Sequence, residues 1–397
     1  MRVWMIASEY PPAKVFGLGR AVHDLSRAQA AQGDEVHVFT NSIGGRDQDT
    51  VSGGVHVHRI NFPSPPQPPD PTSCVIQFNL CLLERLHQLL PQLAVPDLVH
   101  AHDWIVGLAA QSLARRLQVP LVTTIHDTAM GKHFGRLDRS QQYVAFTERW
   151  LVGESTRTIA CSEFVKSELV QHYGGDSGCV DVIPCGVDPA LLEVPVNLPA
   201  FRSVFAHPEE RLVCYVGRLD QEKGIDVLLH AFAQLSGHLP GLRLVLVGEG
   251  QRQAELQQLV GELGMTGQVT FLGYVAFPAL AAIYRAAEVV VVPSLYEPFG
   301  LVALEAMAAG RPVVAAEAGG LTEIVTEGAT GLCVPPGDAG ALAAALERVL
   351  SDGALAGRLA RQGREHAVSG YSWSRVAELT RDCYRRALAK RQETAEG

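Results

Sequence analysis

Short β-branched and aliphatic runs alternate with stretches of helical apolar spacing along the whole chain, the pattern of parallel sheets joined by crossover helices. In the first half the runs predict strands at Arg2 to Ala7, Glu35 to Thr40, Val55 to Ile60, Asp97 to Ala101, Pro120 to Ile125, Thr158 to Cys161 and Val180 to Ile183. The second half repeats the scheme at Leu212 to Val216, Leu242 to Val247, Val269 to Leu272, Val289 to Val292, Val313 to Ala315 and Gly331 to Val334. Between these runs, Ile225, Leu228, Leu229, Phe232 and Leu235 share one face of a helix, the stripe that docks onto a sheet. The pattern predicts an α/β protein of two doubly wound domains, residues 1–190 and 191–373, with a helix from 374 to 397 that could cross back to the first.

Proline marks the breaks. The stretch Pro184 to Pro208, with prolines at 184, 189, 195, 199 and 208, interrupts the alternation and reads as a linker. A second cluster, Pro63 to Pro71, precedes the helix of Leu80 to Leu90 and reads as a surface loop.

Composition narrows the function classes. The 397 residues exceed the size at which one core usually stops growing, and 47% hydrophobic against 19% charged residues is globular composition. The formal net charge of -9 argues against nucleic-acid binding, which needs clustered Lys and Arg. No segment reaches the ~20 apolar residues that span a bilayer, and Met1 to Ala7 is too short for a signal peptide, so a cytoplasmic protein is expected. Eight scattered cysteines without a CxxC pair read as buried reduced thiols.

Ligands bind doubly wound sheets at the carboxyl ends of their strands, and the chemically suggestive segments fall there. Lys14 to Gly19, with Gly17 inside it, is a glycine-bearing loop between the first strand and a helix, where exposed amides and the helix dipole favour an anion. Gly217-Arg218-Leu-Asp-Gln-Glu-Lys223-Gly224 places two cations five residues apart at a helix entrance, suited to a diphosphate that an acidic protein otherwise repels. Solvated loop charges are the plain alternative.

The segment from Pro293 to Gly310 is the sharpest. Gly310 and Pro312 stop a helix that runs about from Gly300 to Ala309, with Glu297 in the loop ahead and Glu305 inside among Leu301, Leu304 and Met307. A carboxylate in so apolar a segment needs hydrogen-bond donors, which sugar or ribose hydroxyls could supply; a structural salt bridge is the other reading. In the first half, His100-Ala-His102-Asp103-Trp104 and His126-Asp127 each end a strand. They suit a sugar pocket better than a metal site, since no second ligand pair has suitable spacing.

With these motifs in view, the chain resembles the retaining glycosyltransferases of the GT4/GT5 type, which have the GT-B fold of two Rossmann-like domains facing across a cleft. The likeness is strongest to bacterial and archaeal glycogen synthases. Their Lys-x-Gly-Gly-Leu-Gly loop matches Lys14, Gly17, Leu18 and Gly19, and their His-Ala-His-Asp-Trp matches His100 to Trp104. Phe16 departs from it, standing where the pattern has its first glycine, and Asp127 stands where relatives often carry a small or amide residue.

The resemblance implies that Glu297 contacts the transferred sugar and Glu305 the ribose, with Phe299, Gly300 and Leu301 beside them. It implies that Arg218 and Lys223 neutralise the diphosphate, Gly17 offers an amide with Lys14 nearby, and Asp103 and His126 face the donor sugar. Ser162, Glu163 and Phe164 match a further family segment and are assigned to packing. The implied reaction moves a hexose, glucose from ADP- or UDP-glucose, onto an α-glucan with retention, without a metal or other cofactor. Alternative acceptors are a lipid, a small sugar phosphate or a surface polysaccharide; a non-catalytic sugar-nucleotide binder is a third reading. Base, sugar, acceptor and oligomeric state stay open.

Overall fold

The structure is a computed structural model that describes residues 1–13, 17–42, 45–62, 71–193 and 195–396. It divides into two compact units, one of residues 1–186 with 373–397 and one of residues 187–372.

The first unit holds eight strands: β1 (Arg2–Ile6), β2 (Glu35–Asn41), β3 (Gln48–Ser52), β4 (Val55–Ile60), β5 (Leu98–His102), β6 (Leu121–Ile125), β7 (Arg157–Ala160) and β8 (Val180–Val182), in the order β3-β4-β2-β1-β5-β6-β7-β8. All pairings are parallel except β3 with β4. The central strands β5 and β6 are buried at every position, as parallel strands covered on both faces must be.

Strand β3 is absent from the sequence expectation. It is an exposed, polar edge strand that turns into β4 through Gly53 and Gly54, both at positive φ, the two-residue turn that suits a hairpin's twist. The Gly-Gly pair ahead of Val55 is the signal that could have found it.

The second unit holds six parallel strands: β9 (Arg211–Val216), β10 (Leu242–Val247), β11 (Val269–Gly273), β12 (Val289–Val292), β13 (Val313–Ala316) and β14 (Leu332–Val334), in the order β11-β10-β9-β12-β13-β14. Winding runs outward from β9 in one direction, then restarts at β12 in the other. The helix Ile225–Ser236 buries the predicted stripe of Ile225, Leu228, Leu229, Phe232 and Leu235 completely.

Two expectations need correction. The stretch Pro184 to Pro208 is not a free linker, because from Val187 onward it belongs to the second unit. Pro189 and Pro199 open short helices, Pro189–Leu192 and Leu198–Arg202, capped by Asp188 and Asn197, so these prolines mark helix starts. Of the eight cysteines, all free, only Cys161, Cys214 and Cys383 are fully buried. Residues 63–70 of the first proline cluster lie outside the described residues, and Pro71 begins the helix Pro71–Leu89.

The helix Trp373–Glu396 is part of the first unit and packs on the helix Gly17–Ala31. Its Arg381 meets the buried Asp34 carboxylate at 2.9 Å, and that carboxylate also takes the Met1 ammonium at 2.8 Å. The Tyr384 hydroxyl lies 2.7 Å from Nδ1 of His100 in the middle of β5.

A chain of polar side chains crosses the sheet edge. Arg85 donates to Asp49 at 2.6 Å, Asp49 meets Nδ1 of His58 at 2.8 Å, and Nε2 of His58 lies 2.9 Å from Nδ1 of His37, whose other nitrogen is 3.2 Å from Glu35. Burial holds both imidazoles below the usual histidine range. A depressed folded value stabilises the protein above the unfolded pKa and withdraws that contribution as pH falls through it, each histidine steepening the loss by at most about 1.4 kcal/mol per pH unit. The double variant His37→Gln with His58→Gln is therefore expected to lose less apparent Tm than the parent between about pH 7 and 5. Parallel acid limbs in thermal denaturation would exclude this pair as a contributor.

Candidate active site

In each sheet the winding reverses between two neighbouring strands: β1 and β5 in the first unit, β9 and β12 in the second. The predicted site residues among those described follow these four strands, except His126, which follows β6, the next strand beyond β5.

The loop after β9 is built on close backbone approach. Gly217 and Leu219 donate to the carbonyls of Val247 and Glu249, at 2.9 and 3.0 Å. Gly248 sits at φ +130°, and a Cβ there would overlap the Gly217 carbonyl oxygen. Gly224, at φ +63°, lies equally tight against the carbonyl of Pro293, which follows β12. The loops after β9, β10 and β12 are thereby held together without side chains between them.

On that frame Lys223 Nζ lies 2.8 Å from Glu297 Oε2, which also accepts from Ser294 Oγ at 3.0 Å. The Arg218 guanidinium meets Asp220 at 2.6 Å and Glu222 at 2.5 Å. Each cation assigned to a diphosphate is thus already paired with a carboxylate. Two cations stand against three carboxylates here, so the positive field inferred from sequence is locally compensated.

Glu222 was not singled out in the sequence. Its buried carboxylate holds Arg218, while its carbonyl accepts from the amides of Leu295 and Tyr296 at 2.8 and 3.2 Å. It therefore joins the loop carrying Arg218 to the loop carrying Glu297. Its position four residues after Arg218 was the available signal.

Glu297 leads into the helix Leu301–Ala308, whose N-cap is Gly300 at φ +108° with no side-chain cap. The amides of the first turn, beginning at Leu301, have no intrahelical acceptor and present the positive end of the helix dipole. Phe299 is buried beside Tyr371, with ring centroids 6.2 Å apart. Glu305 is buried inside the helix, and its Oε2 accepts from the Tyr284 hydroxyl at 2.7 Å. One of the donors that sequence reasoning assigned to a ligand is therefore supplied by the protein.

The first unit brings His100 and His102 on β5 together with Asp103 and His126, which follow β5 and β6. His100 is saturated by Tyr384 and, at 2.8 Å, by Thr124, and burial lowers its pKa to about 3. His126 lies with Nε2 at 3.5 Å from Nδ1 of His102, and burial lowers its pKa to about 4. Asp103 adopts φ 71° and ψ 170°, a conformation that costs a non-glycine residue about 1–3 kcal/mol. Burial, then the charges of Asp127 and Glu148, push its carboxyl well above the usual range. Backbone strain and a carboxyl pushed above its usual range thus coincide on one side chain at a strand end, a combination that occurs more often at functional sites than elsewhere.

Glu148, from the helix Arg139–Glu154, accepts from the Ala129 amide at 3.1 Å and was also missed, since nothing in its helical sequence separates it from a surface carboxylate. Ser162 caps the helix Glu163–His172 by accepting from the Val165 amide. Gly17 opens the helix Gly17–Ala31 with open space around it, whereas Lys14 and Phe16 lie outside the described residues. Among the described residues no cluster of three or more His, Cys, Asp or Glu is arranged to hold a metal ion, and no helix is long and apolar enough to cross a membrane.

Burial raises Glu148 from 4.5 to about 8. A raised folded value contributes stability below the ordinary carboxylate pKa and loses it as pH rises through the folded one. Glu148→Gln stays neutral and still accepts from Ala129, so at about pH 9 it is expected to exceed the parent in stability, on the order of a few kcal/mol. Thermal denaturation from about pH 4 to 9 checks this, the parent losing stability relative to the variant between the ordinary carboxylate value and about 8; profiles that stay parallel across that window would show that Glu148 titrates freely.

The chain is similar to known proteins along its length. Residues 15–191 match Glycosyltransferase Family 4, and residues 199–366 match Glycosyl transferases group 1. The glycogen synthase of Mycobacterium tuberculosis is 37% identical, over 99% of this chain and 96% of its own. The D-inositol 3-phosphate glycosyltransferase of an Arthrobacter species is 35% identical, over 94% and 90%. The structure of sucrose-phosphate synthase from Thermosynechococcus elongatus superposes with a TM-score of 0.85 at 31% identity, covering 98% of this chain and 99% of that one. Matched over nearly its whole length by two glycosyltransferase families and by relatives aligned end to end, the chain belongs to the group 1, family 4 glycosyltransferases and is an enzyme of the GT-B fold.

Proposed function

We propose that this enzyme transfers glucose from ADP- or UDP-glucose to a growing α-glucan with retention at the anomeric carbon. The observation that carries this reading is the pair of cations after β9, Arg218 and Lys223, each held by a carboxylate at the point where the winding reverses. Likeness to a glycogen synthase supports the glucan acceptor. The similarly close inositol-phosphate relative supports a second acceptor, a small phosphorylated polyol akin to the sugar-phosphate alternative.

In this reading the bond from the anomeric carbon to the diphosphate breaks, the acceptor oxygen bonds to that carbon on the same face, and the acceptor proton passes to the departing phosphate oxygen. Charge grows on the diphosphate as its bond breaks. Arg218 and Lys223, with the amides at the start of the helix Leu301–Ala308, meet that charge, and donors fixed before the reaction do so most effectively. The carboxylates of Asp220 and Glu222 restrain the guanidinium in advance. Glu297 releases Lys223 to the phosphate and turns to the hydroxyls of the transferred sugar. Asp103 and His126 are assigned to sugar hydroxyls, as neutral hydrogen-bonding groups that bring no net charge. Glu305 is assigned to the ribose.

A donor screen with several sugar nucleotides, read as release of free nucleoside diphosphate with glycogen, an inositol phosphate or a lipid as acceptor, tests the reading. Turnover only with a lipid would overturn the glucan assignment.

Arg218→Ala and Lys223→Ala are each expected to lower kcat about a hundredfold to a thousandfold at saturating donor, or about 3–4 kcal/mol, with the fold intact. Either variant keeping kcat within about threefold would identify a solvated charge. Glu297→Ala is expected to lose kcat and Glu305→Ala donor affinity. Because Lys223 and Glu297 share an ion pair, their double variant is expected to lose less than the product of the single losses; strict additivity in a double-mutant cycle would show that the pair does not work as a unit.

A further inference from the structure

His126 can give or take a hydrogen bond at the end of β6 depending on which ring nitrogen carries its proton, and the neighbouring His102 bears on that choice. Nε2 of His126 lies 3.5 Å from Nδ1 of His102, with the rings 5.8 Å apart and inclined by 27°. His102 is 1% exposed, and its own Nε2 is buried without a hydrogen-bond partner among the described residues. It lines a cavity of about 30 Å³ together with Thr124, His126, Ile159, Cys161 and Cys185. On its other side the ring rests against His100 at 4.0 Å between centroids, and both nitrogens of His100 are engaged by Tyr384 and Thr124. His102 is therefore held in place by a residue that has no further hydrogen bond to offer it.

A buried N–H without an acceptor is rarer and costlier than an unused lone pair. A proton on Nε2 of His102 would be such an orphan. The proton belongs instead on Nδ1, where it is donated to Nε2 of His126. That nitrogen then accepts, so His126 carries its own proton on Nδ1. We propose that His102 is a positioning residue that fixes His126 in the Nδ1–H tautomer, making His126 a hydrogen-bond donor toward a hydroxyl or phosphate oxygen of the bound sugar nucleotide. The ligand named here rests on the transferase reading above; the tautomer does not. Burial keeps both imidazoles neutral near pH 7, so His126 acts as a fixed donor rather than as an acid.

The test labels histidine with nitrogen-15 in the full chain and records long-range proton–nitrogen correlations without ligand near neutral pH, His126→Gln identifying the His126 signals. The expected pattern is a protonated Nδ1 and a bare Nε2 on His126. A protonated Nε2 on His126, as would follow from a water in the cavity accepting from His102, overturns the proposal. Two variants extend the test to turnover. His102→Asn keeps an N–H near the place of Nδ1, whereas His102→Leu removes it. In metal sites the loss of a group that orients a histidine costs about tenfold to a hundredfold, and a similar loss of kcat is expected for His102→Leu, with the His126 tautomer released. His102→Asn is expected to stay within about threefold of the parent and to keep the His126 pattern. Equal losses in both variants with an unchanged His126 spectrum would assign His102 a purely structural role and overturn the proposal. A parent protein that releases no nucleoside diphosphate from any donor overturns the transferase reading instead and leaves the tautomer measurement standing.

Discussion

A parallel sheet wound in both directions has one place where two adjacent strands send their crossover helices to opposite faces, and the space beyond their ends is filled by neither helix. Most of the charged side chains singled out above gather beside that gap. In the first unit the reversal lies between β1 and β5, where Asp103 stands; in the second it lies between β9 and β12, where Arg218, Lys223 and Glu297 stand. The loops there must come close without collapsing inward. Gly217, Gly224 and Gly248 meet this need by letting backbone touch backbone, which leaves the side chains of the same loops to carry charge.

Electrostatic restraint is the second theme. Two cations on one loop, if left bare, would repel each other and keep loose side chains. Here the cations are tied: Arg218 to Asp220 and Glu222, Lys223 to Glu297. Such pairs give up part of a cation's attraction for any anion in exchange for a fixed side-chain direction. Glu222 has a further role, since the residue that aims the guanidinium also anchors the backbone ahead of Glu297.

Much of this was legible in the chain. Thirteen of the strands follow from apolar runs because a strand covered on both faces has no alternative composition, and the stripe from Ile225 to Leu235 follows from helical periodicity. The edge strand β3 escaped because it is polar and exposed, with only its Gly-Gly turn to betray it. The prolines from 184 to 208 misled because the same residue that interrupts a helix also begins one. Among candidate site residues, sequence singled out Arg218 and Lys223 as cations at a helix entrance after a strand, Glu297 in the loop ahead of a helix, and Glu305 as a carboxylate inside it. It could not locate their partners Glu222, Ser294 and Tyr284, or the contact of His102 with His126, because those depend on side-chain direction across separate strands and loops.

The chain leaves the first unit after Gly186 and re-enters it at Trp373, so the second unit is an insertion within the first. Order of synthesis then acquires structural meaning. When the first 186 residues have emerged from the ribosome, the buried Asp34 still lacks Arg381 and His100 still lacks the Tyr384 hydroxyl, because both partners are encoded nearly 200 residues later. The inserted unit is contiguous and can mature while the earlier strands wait for their closing helix. A segment made only after the whole inserted unit thus completes the first unit, and the imidazole contact on β5 is set only then.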